Sequence, residues 1–395
     1  MKQLFENNMK DAVSISFAGD IALDKYLYKA WEDEKLISED ILEFMNASDH
    51  VIIDVEGAVS EYEQDPDAKG TDAMLHTTHP EGISLFKKIG ADVWCINNNH
   101  ISDIGPRGIE ETLKYAKESG ALVIGGGMNP EEAARPVYFD GAGGVGVFAV
   151  GYRPGCKPAG EDKPGILEWS DMETIQANID IIKKKCRWCI VLVHGGEEFV
   201  SMPMPYIRDR YIKFLDMGAD IVVGHHPHVI SNYETFPGKA IFYSIGNFLF
   251  DTNYQRTQLY TDVGMVLKLI LSEDGYKFDT ICSRLDREKV KLTGTDLPCI
   301  FRDIQQDEYD RLIPLVAKAF ISAIKKRQLF LYPEKYQSYG EKEWEEHFMD
   351  PNRLYRMPYE TLDFRVVYPL AKTAEKGEWK NSKLEDVKQY ILAQI

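Results

Sequence analysis

The sequence has no apolar run that approaches the ~20 residues needed for a membrane-spanning helix. Residues 1–11 are polar and charged and lack the apolar stretch of a secretory signal peptide. Six cysteines in 395 residues are too few for a disulfide framework. We therefore expect a cytoplasmic protein with no membrane span in this chain, or a cell-surface-associated one if the chain is trimmed from a longer protein.

The sequence also lacks an excess of basic residues, with 46 Lys and Arg against 63 Asp and Glu and a net charge of -17. From Asp286 onward 19 basic and 19 acidic residues balance, so the whole imbalance lies in residues 1–285. Nucleic-acid binding depends on basic surface, so we expect no nucleic-acid partner. An anionic small-molecule or polymer substrate would need a local positive feature, and a metal ion is one.

The hydrophobic content of 44% over 395 residues is enough for a large core and two structural units. Strand and helix patterns alternate along residues 1–285, which predicts an α/β fold with a layered sheet. After residue 285 the charge-balanced sequence shows helical patterns at 307–327 and 384–395. We therefore predict a domain over 1–285 and a mostly helical C-terminal extension over 286–395 that packs on it or caps it.

Three of the nine histidines, His225, His226 and His228, fall within four positions. They follow an apolar run over 219–223 that reads as a buried strand. Neutral imidazole is a common ligand of borderline metals, although Gly224 and Pro227 also fit surface histidines in a turn. On an extended segment the side chains of His226 and His228 would point the same way and share a site, whereas His225 would face elsewhere.

Polar side chains follow five predicted strands of this sheet. In open α/β sheets, ligands bind beyond the carboxyl ends of the strands. Together these strand ends offer carboxylates, amides and imidazoles, a set that suits one or two divalent ions such as Mn, Fe or Zn. Two ions ~3.5–4 Å apart can activate a water and hold an anionic leaving group. The strand-end residues are Asp20; Asp54 and Glu56; Asn98, Asn99 and His100; His194; and His225, His226 and His228.

Each of these residues receives a candidate role. Asp20 could instead cap a strand end, Glu56 could form a salt bridge, and His100 could be a structural histidine. His100 is the candidate general acid, with Asn99 beside it. The candidate metal ligands are Asp20, Glu56, Asn99, His194, His226 and His228. The residues expected to orient the ligands or contact substrate are Asp54, Asn98, Asp103, Glu198, His225 and Asn247.

Six motifs, in order from about Ile15 to Asp251, resemble those of the bacterial capsule synthesis CapA family, the poly-γ-glutamate capsule (PGA_cap) proteins. The resemblance implies a calcineurin-like metallophosphatase type of fold, here an α/β/β/α sandwich. It also implies a metal-dependent hydrolase or transferase with a role in capsule polymer biosynthesis, and partner proteins of capsule synthesis. The motifs are Phe17–Asp20, Asp54–Gly57, Asn98–Gly105, His194–Phe199, Gly218–His228 and Tyr243–Phe248.

The sequence departs from the family pattern in three ways. Asp54 stands where the family usually has Asn, Gly195 stands where it has Trp, and we expect this chain to lack the membrane anchor usual in the capsule proteins. The resemblance to true metallophosphatases is weaker, because their Asp-x-His is here Asp20-Ile21-Ala22. Two other functions therefore stay open: a cytoplasmic metallophosphoesterase acting on a small phosphorylated metabolite, and a non-catalytic assembly or binding subunit.

Overall fold

The computed structural model describes residues 11–62, 75–152, 157–350, 364–373, 379 and 383–395. An acidic loop that the sequence predicts over 62–71 lies outside the described residues, apart from Tyr62. None of the helices in these ranges combines the length and the apolar character needed to cross a bilayer.

The strands and helices agree closely with the sequence patterns, and most predicted bounds are within two residues of the observed ones. The largest difference is α1, predicted from Glu34, where the structure starts the helix at Glu39 after a turn. The strands are β1 Val13–Ile21, β2 His50–Val55, β3 Ala58–Val59, β4 Thr77–Thr78, β5 Val93–Cys95, β6 Leu122–Ile124, β7 Gly126–Gly127, β8 Val137–Phe139, β9 Val145–Gly151, β10 Gly165–Ile166, β11 Trp188–His194, β12 Ile221–His225, β13 Tyr233–Phe236, β14 Lys239–Phe242, β15 Asn247–Leu249, β16 Val263–Leu271, β17 Tyr276–Asp286 and β18 Lys291–Gly294. The helices are α1 Glu39–Asn46, α2 Ile83–Lys88, α3 Pro106–Ser119, α4 Pro130–Ala133, α5 Met172–Lys185, α6 Pro205–Asp216, α7 Gln306–Leu331, α8 Pro333–Tyr336, α9 Glu341–Met349, α10 Phe364–Ala371 and α11 Glu385–Leu392.

Two large mixed sheets carry the fold. The first has the order β18-β17-β16-β1-β2-β5-β6, with β15 also paired to β1, and the second has the order β13-β14-β12-β11-β9-β8. The central pairs β1/β2, β2/β5, β9/β11 and β11/β12 are parallel. The two antiparallel pairs that the sequence predicts, β8/β9 and β16/β17, are confirmed.

The sheets pack face to face with helices outside each of them. Phe17 and Ile52 of the first sheet share one core with Ile190 and Val223 of the second. Helices α1 to α3 cover the outer face of the first sheet, and α5 and α6 cover the outer face of the second. Because the central strands are buried on both faces, their sequences are almost continuously apolar. This α/β/β/α layering confirms the predicted fold class.

The C-terminal region is mostly helical, as predicted. Helix α7 buries Leu312, Val316 and Phe320 in the same core that lies between the sheets. Sheet pairing continues past residue 285, because β18 pairs with β17. A domain boundary at residues 285/286 therefore stays a prediction.

Close backbone contacts fix the edge of the first sheet at which β1 ends. Asp20 is in register with Asp54 on β2 and with Asn247 on β15. Gly19 permits this approach, since a Cβ there would lie 1.9 Å from the carbonyl oxygen of Gly246. The same edge of the second sheet holds His194 and His225 in register at the ends of β11 and β12.

Candidate metal centre

The carboxyl ends of parallel strands meet at one edge of a sheet, and the two sheets here bring their edges together. Six buried side chains converge at this place, three of them acidic and three imidazole. They form two groups, and within each group the ligand-type atoms lie within 4.8 Å of one another. The first group is Asp20, Asp54 and His194, and the second is Glu56, His226 and His228. Five of the six were candidate ligands from the sequence, and Asp54 was a candidate supporting residue.

The two groups interlock. Nε2 of His194 lies 3.2 Å from Nδ1 of His226, and Nδ1 of His228 lies 3.1 Å from Oδ2 of Asp20. Asp20 also accepts from the backbone N–H of His226 at 3.3 Å. Each group therefore contacts the other through residues of both sheets.

The backbone at His226–His228 differs from the sequence expectation. His226 has φ 93° and His228 has φ 58°, both left-handed, so the prediction of an extended segment is wrong. The two imidazoles reach one site because the chain turns there, not because alternate side chains of a strand face one way. Left-handed backbone at a residue other than glycine costs about 1–3 kcal/mol and clusters at functional sites. His225 ends β12 and faces elsewhere, where its Nε2 donates to the carbonyl of Ala18 at 3.3 Å.

Glu56 carries the least satisfied charge of the site. Both of its carboxylate oxygens are buried, and neither has a hydrogen-bond partner within the described part of the chain. Its nearest basic atoms are Nε2 of His194 and Nδ1 of His228, each at 3.7 Å. Burial, and then the charges of Asp20 and Asp54, raise the pKa of the Glu56 carboxyl well above its usual value. A buried carboxylate without a partner is costly, so this oxygen pair fits a bound cation.

The hydrogen bonds of His194 also indicate that the site fits a bound cation. Its Nδ1 donates to Oδ2 of Asp54 at 2.6 Å, so Nε2 of the neutral ring carries a lone pair. That lone pair faces Oδ1 of Asn99 at 2.8 Å, another acceptor atom. Burial first of all lowers the pKa of His194 well below its usual value and favours the neutral ring. Two acceptor atoms at this distance suit a shared cation, and the set of imidazole, carboxylate and amide donors fits a divalent ion.

The other two imidazoles differ from each other in charge preference. Burial, and then the neighbouring rings of His194 and His228, lower the pKa of His226 well below its usual value. At His228 burial opposes the charged form, but the hydrogen bond and the charge of Asp20 outweigh it and raise the pKa. Asn247 also accepts from Nδ1 of His228 at 2.9 Å, so the candidate supporting residue Asn247 contacts a candidate ligand.

His100 lies beside the two groups. Its Nδ1 donates to Oδ2 of Asp103 at 2.7 Å, and its Nε2 lies 3.9 Å from Oε1 of Glu56. Asp103 thus contacts the imidazole of His100, and its role in orienting that ring stays a prediction. Asn98 binds backbone groups: it accepts from the N–H of Gly57 at 3.1 Å and donates to the carbonyl of Val55 at 2.7 Å. Its role is to hold the loop that presents Asn99 and His100.

Glu198 contacts the C-terminal region. Its carboxylate accepts from Nη1 of Arg327 on α7 at 3.2 Å, and its charge is one of the influences that raise the pKa of His228, so its predicted supporting role stays a prediction. The local sequence could not indicate this partner, because Arg327 lies 129 positions away.

The sequence analysis missed Tyr152. This buried residue follows β9, and its hydroxyl is hydrogen-bonded to Nε2 of His226. In the structure β9 is parallel to β11 and ends at the same edge, which brings Tyr152 to the site, but the sequence after β9 gives no sign of this role. Tyr152 also explains one departure from the family pattern. A Cβ at Gly195 would lie 2.9 Å from the ring of Tyr152 and 3.2 Å from that of Trp169, so these two rings occupy the space beside Gly195.

A second imidazole–carboxylate pair lies next to His100. Nδ1 of His76 donates to Oδ2 of Asp24 at 2.9 Å, and the His76 ring meets the His100 ring edge to face at 4.4 Å. His79, three residues later, instead stacks on Trp31 with ring centres 6.2 Å apart.

Comparison with known proteins gives matches to capsule proteins. Residues 14–252 match the family described as "Bacterial capsule synthesis protein PGA_cap". The PGA biosynthesis protein CapA of Bacillus subtilis (strain 168) is 31% identical over 254 residues, which cover 63% of this chain and 66% of that protein. The capsule biosynthesis protein CapA of Bacillus anthracis is 32% identical over 194 residues, or 47% of each chain. This chain therefore spans just under two thirds of the first relative and about half of the second.

Two further matches are more distant. A Mycobacterium tuberculosis (strain ATCC 25618 / H37Rv) protein named a probable polyglutamine synthesis accessory protein is 24% identical over 218 residues, 52% of this chain and 56% of that protein. Among solved structures, TT1561 of Thermus thermophilus aligns with a TM-score of 0.35 and 10% identity over 72% of this chain and 99% of that chain. That similarity is too low to carry an argument.

Proposed function

Given that this chain belongs to the bacterial capsule synthesis PGA_cap family, we propose that it is a metal-dependent hydrolase or transferase that acts on an anionic capsule polymer of the poly-γ-glutamate type. The observation that carries the proposal is the pair of interlocking ligand groups around Glu56, whose buried carboxylate lacks a hydrogen-bond partner in the described ranges. Two adjacent groups favour two ions over one.

The residues that would hold the ions are those of the two groups, with the amide oxygen of Asn99 beside His194. A divalent ion such as Mn, Fe or Zn, when bound, supplies Lewis-acid polarisation and lowers the pKa of a coordinated water. Asp54 holds His194 through Nδ1, and Tyr152 is bonded to Nε2 of His226. Such contacts orient ligands and set which ring nitrogen is available.

His100 is the proposed proton donor to the leaving group. Because Asp103 accepts from Nδ1 of His100, the opposite ring nitrogen, Nε2, faces the side of Glu56. A proton held at Nε2 can pass to a leaving amine or alkoxide, and Asp103 stabilises the imidazolium before the transfer. The substrate class is taken from relatives that are named for PGA or polyglutamine synthesis. A γ-glutamyl chain offers an amide at each linkage and a free carboxylate at each residue.

The proposal is tested by metal content and turnover together. Elemental analysis of the purified protein should find Mn, Fe or Zn, and adding Mn should raise the melting temperature. The protein should cleave γ-glutamyl oligomers, with p-nitrophenyl phosphate as the probe for the phosphoesterase alternative. His226→Ala should lose metal and activity together, whereas His79→Ala should keep both, because His79 lies on Trp31 away from the two groups.

Three outcomes contradict the proposal in different ways. A protein without metal, and with no gain in melting temperature on adding Mn, would be an assembly or binding subunit, the role suggested by the accessory name of one relative. Metal-dependent cleavage of phosphate esters alone would make it a phosphoesterase. Equal activity in the wild type and His226→Ala would place the reaction elsewhere in the chain.

A further inference from the structure

The C-terminal region forms hydrogen bonds with the loop that follows β11. This loop begins directly after the candidate ligand His194. Arg327 on α7 donates to Glu198 at 3.2 Å. After α11, the side chain of Gln394 donates to the carbonyl of Phe199 at 2.9 Å and accepts from the N–H of Ser201 at 3.3 Å. The loop is therefore held by residues that lie outside the family match at 14–252.

A row of aromatic rings continues this contact to the metal centre. Phe199 stacks on His228 with ring centres 5.7 Å apart, and Tyr254 meets Phe199 edge to face at 5.2 Å. Phe330 on α7 lies 4.9 Å from Tyr254. Two rings, Phe199 and Tyr254, thus connect the end of α7 to the candidate ligand His228, so α7 packs against residues that adjoin the site.

The charge around the site is mostly negative. The carboxylates of Asp20, Asp54, Glu56 and Asp103 lie in or beside the two groups, and residues 1–285 carry the whole acidic excess of the chain. Bound divalent ions would offset part of this charge, and a basic side chain close to the site adds to the attraction of an anionic substrate. Arg327 is such a side chain: it pairs with Glu198 on the loop that follows His194, and the two side chains are 31% and 18% exposed, so solvent reaches the pair.

We propose that Arg327 binds an oxyanion group of the substrate, a carboxylate or a phosphate, and so makes the C-terminal region part of the substrate site. The inference deepens the proposed function and rests on it in taking the two ligand groups as the reaction centre. A guanidinium has five N–H donors in a planar fork that matches both oxyanions. Glu198 accepts from Nη1 of Arg327 and so holds the guanidinium beside the loop that follows β11, where it competes with an incoming anion for the same donors.

The opposing roles of Arg327 and Glu198 give a test that does not require turnover. Binding of a short γ-glutamyl oligomer, and separately of inorganic phosphate, is measured by calorimetry on metal-loaded full-length protein. Arg327→Ala should weaken binding by about tenfold or more, the range for hydrogen bonds to charged groups. Glu198→Gln should tighten it, because the competing carboxylate is gone. Metal content is measured for every variant.

Arg302→Ala is the matched control. Arg302 is also 31% exposed and forms an ion pair in the C-terminal region, with Asp386 at 3.3 Å, and it donates to the carbonyl of Lys383 just before α11 at 2.7 Å. The Arg302→Ala variant should keep anion affinity within about twofold of the wild type. It removes the same positive charge as Arg327→Ala, but not from the loop that follows β11. If a substrate is cleaved, Arg327→Ala should raise KM and leave kcat nearly unchanged.

The inference is overturned if Arg327→Ala binds both probes as tightly as the wild type, if Arg302→Ala loses as much affinity, or if the wild type binds neither probe. Preference for the oligomer assigns a carboxylate to Arg327, and preference for phosphate assigns a phosphate. If Arg327 binds the anion but no substrate is turned over, the proposed hydrolase function is contradicted and the inference about Arg327 is supported. If substrate is turned over but Arg327→Ala binds the anion as tightly as the wild type, the inference is contradicted and the proposed function is supported.

Discussion

Nδ1 of His194 donates to Oδ2 of Asp54 at 2.6 Å, although the two residues are 140 positions apart in the sequence. Asp54 ends β2 of the first sheet and His194 ends β11 of the second. This bond therefore ties the two sheets together at the candidate metal centre and leaves Nε2 of His194 as the candidate ligand atom.

Asp54→Asn should weaken Mn binding by about 10- to 100-fold, the usual loss when a partner of a metal-bound imidazole is removed. The measurement is calorimetric titration of the metal-free protein with Mn. Asp92→Asn is the control, because Asp92 forms the same kind of bond with His50 at 2.7 Å, at the other end of β2. Equal affinities for the wild type and Asp54→Asn would contradict the role of Asp54.

Tyr152→Phe should lower Mn affinity by about tenfold, because it removes the hydroxyl that holds His226 through Nε2. The ring still packs against Trp169, 5.7 Å away, so the melting temperature without metal should change little. Tyr138→Phe, an exposed change on β8, serves as the control. Unchanged affinity would mean that His226 is oriented by other contacts.

His100→Gln should reduce kcat by about 10²- to 10⁴-fold, the contribution typical of a positioned general acid. Metal content should stay at the wild-type level, because neither ligand group includes His100. The readouts are steady-state kinetics on the cleaved substrate and elemental analysis. Loss of metal along with activity would make His100 a ligand, and full activity would remove it from the mechanism.

Glu197 should make the stability of the protein depend on pH. Burial raises the pKa of its carboxyl to about 7, and its carboxylate accepts from the N–H of Met204 at 3.3 Å. A carboxyl whose folded-state pKa is raised stabilises the fold most below its unfolded-state pKa, and this contribution is lost as pH rises through about 7.

Urea unfolding at pH 5 and pH 8 measures the effect. Because one pKa unit corresponds to 1.36 kcal/mol and part of the loss has already occurred at pH 5, the wild type should lose about 2–3 kcal/mol more than Glu197→Gln over this interval. Parallel pH profiles for the two proteins would show that Glu197 does not titrate in the folded state as expected.

Gly19→Ala should destabilise the protein by more than ~2 kcal/mol, because overpacking at a rigid backbone contact has no room to relax. The added Cβ would lie 1.9 Å from the carbonyl oxygen of Gly246, which forces β1 and β15 apart beside Asp20. Gly275→Ala is the control, since nothing lies within 4 Å of its Cβ position. Equal unfolding free energies for the two variants would contradict this account.

The sequence predicted the strand ends of the site because that information is local. An apolar run followed by Asp20, His194 or His225 specifies both the strand and the polar group after it. The fold class followed from the alternation of elements and from the family resemblance. The two sheets and their outer helices confirm the predicted fold class and the predicted alternation of strands and helices.

The sequence could not predict contacts that depend on tertiary structure. The left-handed backbone of His226 is held by its N–H bond to Asp20, a residue 206 positions away. The ion pair of Glu198 with Arg327 and the bond of Gln394 to Phe199 have equally distant partners. Tyr152 was missed for another reason: a tyrosine after a strand reads as core, and only its bond to His226 distinguishes it.

The interlocking of the two ligand groups also affects how the protein matures. Asp20 and His226 are separated by most of the family-matched region and come from different sheets. A nascent chain on the ribosome cannot assemble the first group until β11 has emerged, or the second until the turn after β12 has emerged and docked. Loading of the proposed ions must therefore follow folding, and excised fragments of either sheet should fail to capture an ion that the intact chain binds.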